Sequence, residues 1–541
     1  MNIGIYHGYE LIGSGSNEYT RYLARELAKL GHTLHVLCRE ENPESIDFIS
    51  KAYHWDLNGK QTLLFERDTG IECILHQLPQ ASIRPVYVTD KKREGNVKSF
   101  KNLNDDELKE YHQVNHGAVL RILEKYPLNV LHCNHLVYQP VAAMDACIQT
   151  KTPFTIFLHG SAIEYTVRGD KRYEKLALEA IQKCDGIISG NKEVCNRLPG
   201  LYPELKEMIL AKSRIVGIGV DTTLFTSVRK DERNKSLDNL KKYDGPLGKS
   251  KALSQALKKE IDQGDVHAMG KFWNDYNDYA PDQELIEKVN SIPWETGNVL
   301  LFVGALTSGK GLQSVIPALP EIIHHHPDTH MVIIGGGAYR EVLEALVYAI
   351  SSGNKKVFLE LCDKGIDLDR NDYSGGWNDV KAFINQNDNL EKLFKYGKGL
   401  DNHVHFLGRL NHDYLQYLFP CADIALFPSI GSEAYGLVLM EALSNGVFPM
   451  VSYFSGFVDG IDDLEKYLDK KTVNLMKINI EDDKRVQSII NNVNKVIKIL
   501  ANKPIADKLR PIAVENYDWK TRSEQMIQAY SSLTSWPVLI F

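Results

Sequence analysis

Ser429-Ile-Gly-Ser-Glu-Ala-Tyr-Gly-Leu-Val-Leu-Met-Glu441 follows the apolar run Ile424–Phe427 across Pro428, and its pattern continues as a helix to Gly446. The stretch reads as strand, tight turn, helix start. Gly436 frees the backbone at the turn, so the N–H groups of Tyr435, Gly436 and Leu437 can converge on an anion, and the positive end of the helix dipole favours a phosphate there. Glu441 stands one turn beyond Leu437, where a carboxylate can accept hydrogen bonds from sugar hydroxyls. Glu433, before the turn, hangs over the mouth of the same crevice. Glutamates near a first helical turn are most often solvated charges, and alone these two would be no more.

The same alternation of apolar run and glycine turn recurs outward from this stretch. Val299–Val303 ends in Gly304 and Ala305-Leu-Thr-Ser-Gly-Lys-Gly311, and Met331–Ile334 ends in Gly335-Gly-Gly337. Val404–Leu410 carries Gly408 and Arg409, and Phe448–Val451 leads to Ser455-Gly-Phe-Val-Asp459. In the first half, Ile3–Tyr6 is followed by Gly13-Ser-Gly-Ser-Asn17, by Tyr19, Leu23, Leu27 and Leu30 at helical spacing, and by a strand at Leu34–Cys38. Gly13 and Gly15 thus form a loop at the carboxyl end of the first strand, where doubly wound sheets bind ligands. It is not the dinucleotide fingerprint, because Glu18 occupies the third glycine position. Strands at Asn129–Cys133 and Phe154–Leu158 end in polar residues, among them Asn134, His135 and His159.

Glu433-x7-Glu441 with Gly436 between, Lys310-Gly311, His159-Gly160 and Gly-Val-Asp-x-x-x-Phe at Gly219–Phe225 resemble the large family of retaining glycosyltransferases with the GT-B fold, family four. The resemblance implies an α/β chain of two doubly wound Rossmann-like domains facing a central cleft. It implies catalytic roles for His159, Lys310 and Glu433. Donor binding would fall to Gly13, Gly15, Gly408, Arg409, Tyr435, Gly436, Leu437 and Glu441. One departure stands out: the family's Gly-Arg-x4-Lys-Gly carries an arginine where this chain has Ala305. Asp221, in the Gly-Val-Asp segment, reads as a turn residue capping local N–H groups.

The expected domains are an N-terminal acceptor-side domain at 1–227 with an excursion at about 56–116, a charged helical insertion at 228–293, a nucleotide-sugar domain at 294–516 with an insertion at about 342–402, and a C-terminal helix at 517–541 crossing back. The net charge of -7 leaves no basic surplus, so nucleic acid is not an expected partner, while a local basic patch at an anionic membrane is compatible with it. The eight scattered cysteines, without a C-x-x-C pair, read as reduced thiols of a cytoplasmic protein. Asp367-x-Asp369 and His324-His-His326 lack the context of a metal site, and no metal or other cofactor is expected. The resemblance points to retaining transfer of a hexose, glucose in the first instance as in UDP-glucose, from a nucleoside diphosphate sugar to a hydroxyl acceptor: a sugar, a small polyol or a glycolipid. The competing expectation is a non-catalytic nucleotide-sugar-binding or scaffold protein that lost turnover with the arginine.

Overall fold

The computed structural model describes residues 1–87, 96–272, 275–369, 374–501 and 505–535. Trp273, in the expected insertion at 228–293, and residues 88–95, in the excursion at about 56–116, lie outside them. The chain divides into two compact units, one made from residues 1–221 and 516–541, the other from 222–515, apart from a short stretch near residue 90.

Among the described residues the first unit builds a nine-stranded sheet in the spatial order Ser213–Ile215, Gly186–Ser189, Phe154–Leu158, Val130–Asn134, Asn2–Tyr6, Thr33–Cys38, Cys73–Gln77, Lys51–Trp55 and Gln61–Glu66. All neighbours are parallel except the last pair. The central strands are buried on both faces, as continuous apolar runs such as Phe154–Leu158 require. The stretch read as an irregular excursion differs from expectation: Cys73–Gln77 is a buried interior strand, and Asp105–Lys125 is a long helix started by a capping box of Asn104 and Glu107. Polar residues masked the strand signal, since His76 is buried against His35 at 3.0 Å and against the Trp55 indole at 3.1 Å. Gly15 is the first residue of the helix Gly15–Lys29, so only Gly13 of the expected pair sits in the loop. Asp221 accepts from Arg25 at 2.5 Å, a partner on that first helix which a local-turn reading does not foresee. The helix Trp519–Ser531 also belongs to this unit, with Tyr530 bonded to His132 at 2.9 Å.

The second unit has a six-stranded parallel sheet in the order Val404–Gly408, Thr329–Ile334, Asn298–Val303, Ile424–Phe427, Phe448–Ser452 and Lys477–Ile478. The expected insertion at 342–402 folds as helices on this sheet, among them Lys355–Lys364, Asn378–Ile384 and Asn389–Tyr396. The charged segment after residue 228 is held there by buried ion pairs. Asp282 takes both ends of the Arg340 guanidinium at 2.6 Å, and Lys249 bonds Glu341 at 3.0 Å and Glu344 at 2.9 Å. Against burial, which alone would raise it, Lys249 and Arg340 hold the Glu344 carboxyl down at about 2.

All eight cysteines are buried free thiols. Among the described residues no helix is long and apolar enough to cross a membrane.

Candidate active site

Two sheet ends carry the residues expected to act. In the second unit, Ile424–Phe427 leads through Pro428 to the turn that starts the helix Leu437–Ser444. Gly436 caps that helix with φ 79°, and a Cβ there would lie 2.2 Å from the Phe457 ring, so the turn requires glycine on two counts. The amides of Leu437 and Val438, in the first turn, meet no acceptor among the described residues and no side chain caps them. Glu441 lies buried one turn on, with His412 Nε2 3.5 Å from its Oε1.

Glu433 meets Lys310. The Lys310 ammonium donates to Glu433 Oε1 at 2.5 Å, and the Ser429 hydroxyl donates to the same oxygen at 2.6 Å. Parallel pairing of Asn298–Val303 with Ile424–Phe427 puts the two strand ends side by side, which is why residues far apart in sequence meet. The two loops are also tied by backbone, with Ile430 and Gly431 both donating to the Gly309 carbonyl at 2.8 Å. Lys310 and Glu433 are both part-exposed, so the pair is reachable from solvent. Ala305 lies exposed on the same loop.

The contacts of three groups already quoted from the sequence were not legible in it. The amide of Ser308 donates to the buried Asp369 carboxylate at 2.7 Å, pinning the Lys310 loop. Asp367 accepts from the Gly375 amide, so both acids of the Asp-x-Asp pair serve backbone groups. Ser455 and Gly456 donate to the Glu433 carbonyl at 2.8 and 3.1 Å and hold the turn. Among the described residues no cluster of three or more His, Cys, Asp or Glu side chains is arranged to hold a metal ion.

The charged segment after residue 228 also reaches this sheet edge. The Ala280 carbonyl accepts from the Arg409 amide at 3.1 Å, and the Gly408 carbonyl accepts from Gly335 at 2.9 Å. The chain thus already engages one backbone group of each of Gly408 and Arg409, the residues expected to bind the donor. The Arg409 guanidinium lies 5.0 Å over the ring of Tyr279. A Cβ on Gly336 would fall 1.8 Å from the Asp278 carbonyl, so glycine at the turn after Thr329–Ile334 admits this segment.

In the first unit, His7, His135 and His159 gather at the ends of three adjacent strands. His159 Nε2 donates to Asn134 Oδ1 at 2.8 Å, and its ring centre lies 4.5 Å from that of His135. His7 Nε2 donates to Asn17 Oδ1 at 3.0 Å. Both ring nitrogens of His135 and Nδ1 of His7 are buried without a protein partner. Gly13 and Gly15 lie just before and at the start of the helix that supplies Asn17. Sequence reading named His159 and set His135 and Asn134 aside; the structure joins them.

Burial keeps these rings neutral. It lowers His7 to about 4 and His132 to about 3, and holds His135 and His159 well below the usual value. Unfolded, each ring takes a proton near ~6.5. The stability they contribute is therefore complete above that pH and is lost as pH falls from ~6.5 towards 4, at about 2 kcal/mol per ring by pH 5. Thermal unfolding followed at pH 7.5 and pH 5 should show the midpoint falling by at least ~10 °C. Equal midpoints would contradict neutral burial.

The family model of glycosyl transferases group 1 matches residues 283–364 and 384–500. The second unit matches the group 1 glycosyl transferases. An uncharacterized glycosyltransferase of Methanocaldococcus jannaschii is 25% identical over 233 residues, 43% of this chain and 44% of that protein, so the match spans less than half of the relative's length. Of solved structures, the catalytic domain of starch synthase IV from Arabidopsis thaliana, bound to ADP and acarbose, superposes with a TM-score of 0.57 at 11% identity over 99% of both chains. Anabaena HepE in complex with UDP gives 0.55 at 13% identity, over 98% of this chain and 100% of that one. At such identities the likeness shows the fold, which is GT-B with two Rossmann-like domains. The group 1 match begins at Gln283, just after the buried Asp282, and so leaves most of the charged segment outside it.

Proposed function

We propose that this protein is a retaining glycosyltransferase that moves a hexose from a nucleoside diphosphate sugar to a hydroxyl acceptor. The Lys310–Glu433 pair, set beside the uncapped start of the helix at Leu437, is the observation that carries the reading. Breaking the sugar–phosphate bond develops negative charge on the leaving diphosphate, and fixed positive groups aimed at that charge lower the barrier. In this reading Lys310 and the amides of the helix start carry the diphosphate, in place of a metal ion. Glu433 orients Lys310 and takes hydrogen bonds from the transferred sugar, and Glu441 binds the ribose. The acceptor oxygen bonds to the anomeric carbon as the bond to phosphate breaks, and the acceptor's proton passes to the departing phosphate. His159, neutral and with its Nε2–H given to Asn134, accepts a hydrogen bond from a sugar hydroxyl at Nδ1. The relatives' ligands, UDP for one and ADP for another, agree with a nucleoside diphosphate donor.

Release of nucleoside diphosphate from a panel of UDP, GDP and ADP sugars tests this directly. Ala305 favours a second reading, a nucleotide-sugar-binding protein without turnover. Ligand-induced stabilisation in the same panel with no diphosphate released would establish it. Glu441→Ala should weaken nucleotide binding about 10-fold or more, the cost of one charge-assisted hydrogen bond. An unchanged affinity by titration calorimetry would remove the ribose assignment.

A further inference from the structure

The first unit holds an open cavity of about 520 Å³, apart from the histidine cluster, with apolar walls and a few polar groups. Its lining comes from the ends of three neighbouring strands: Arg39 follows Thr33–Cys38, Gln77 and Gln80 end and follow Cys73–Gln77, and His54 and Asn58 end and follow Lys51–Trp55. These strands run parallel, so their ends open on one edge, the carboxyl edge at which doubly wound sheets take ligands.

Arg39 distinguishes this cavity. Among the described residues the chain buries five basic side chains deeply: Arg39, Arg233, Lys249, Arg340 and Arg485. Four of them face carboxylates, Arg233 on Asp423 at 2.8 Å, Lys249 on Glu341 at 3.0 Å, Arg340 on Asp282 at 2.6 Å and Arg485 on Asp379 at 3.6 Å. Among the described residues Arg39, 5% exposed, has only neutral acceptors: the Gly8 carbonyl and Asn115 Oδ1, each at 2.8 Å, and the Tyr111 hydroxyl at 3.5 Å. A guanidinium stays protonated in proteins, and a buried charge without a counter-charge is unfavourable. Arg39 also lines the cavity, so an anion bound there would supply a counter-charge from that side.

The remaining lining suits a polyol. His54 Nδ1 is 2.8 Å from Gln77 Oε1, and Gln77 Nε2 donates to the Glu40 carbonyl, which fixes the wall. The Trp55 indole is tied to His76. Asn58 and Gln80, exposed at the rim, offer amides that both donate and accept. Asp56 also lines the cavity, and one of its oxygens is engaged by the Lys60 amide at 2.8 Å.

We infer that this cavity binds an anionic sugar, a monosaccharide bearing a phosphate or a carboxylate, with the anion on Arg39 and hydroxyls on Asn58, Gln80 and His54. Naming it the acceptor rests on the transferase reading; the binding does not. The test is titration calorimetry on the full chain, without nucleotide sugar, using glucose 6-phosphate, glucuronate, glucose and inorganic phosphate. One of the two anionic sugars should bind at least ~10-fold tighter than glucose and than inorganic phosphate. Arg39→Met should lose at least ~10-fold of that affinity, and Asn58→Ala combined with Gln80→Ala should weaken the sugar severalfold. No binding of either anionic sugar, or equal binding by Arg39→Met, overturns the proposal. Inorganic phosphate binding as tightly as the sugars overturns its sugar half. Should Arg39→Met fail to fold, the surface pair decides, and unchanged affinity there counts against the site. Since no turnover is measured, failure of the transferase reading would show in diphosphate release and leave this result standing.

Discussion

Lys310→Ala should lower kcat/KM for the donor sugar by at least ~100-fold, the usual cost of removing one group aimed at a developing charge. Lys310 is held at Glu433 Oε1 in a geometry that Ser429 shares, so it is positioned before any donor arrives. The segment after residue 228 was a possible source of a second cation to replace the family arginine, yet its buried bases are already engaged: Arg233 with Asp423, Lys249 with Glu341 and Glu344. Arg409 is stacked over Tyr279. Ala305→Arg, at an exposed position on the same loop, should therefore be tolerated and should restore part of what Lys310→Ala removes. Steady-state kinetics of both variants and of the double variant are the measurement. A nearly silent Lys310→Ala would show that another group carries the diphosphate, and abolition of donor binding by Ala305→Arg would show that the place is filled.

Asp282→Ala should destabilise the second unit by about 3–5 kcal/mol, the cost of leaving a buried charge without its partner. Asp282 binds both ends of the buried Arg340 guanidinium at 2.6 Å and also the half-buried Lys288 ammonium. Without it, Lys249 and Arg340 would share Glu341 and Glu344, and Lys288 would keep only the Phe406 carbonyl among the described residues. Its backbone amide also donates to the Leu407 carbonyl at 2.9 Å, so the carboxylate seats the segment that passes over Gly336. Urea unfolding gives the change, and combining Asp282→Ala with Arg340→Leu should recover part of it, because both buried charges then go together. A loss under ~1 kcal/mol would show the network to be well hydrated. The local nature of the defect is checked by the first unit, whose own unfolding should be unaffected.

Much of this protein is legible from local pattern. The strand–turn–helix units at Ile424–Ser444 and Asn298–Val315 follow from apolar runs ending in glycine turns, since strand burial and left-handed turns leave marks within a few residues. Glu433, Lys310 and His159 were named from their motifs, and their positions at strand ends follow from the same pattern. Cys73–Gln77 was missed because His76 is buried by partners remote in sequence, which make a core strand look polar.

By itself, then, the sequence determined the alternation of strands and helices and which turns demand glycine, because these depend on residues adjacent in the chain, while the two doubly wound halves came from the family resemblance. Only the tertiary structure decided that Lys310 reaches Glu433, that Asp369 pins the Ser308 amide, that the charged segment is joined to Arg340 through Asp282, and that Arg39 is buried with neutral acceptors alone among the described residues. Strand order sets those meetings, and charge compensation in a buried site depends on every side chain that surrounds it, information that no single stretch of sequence contains.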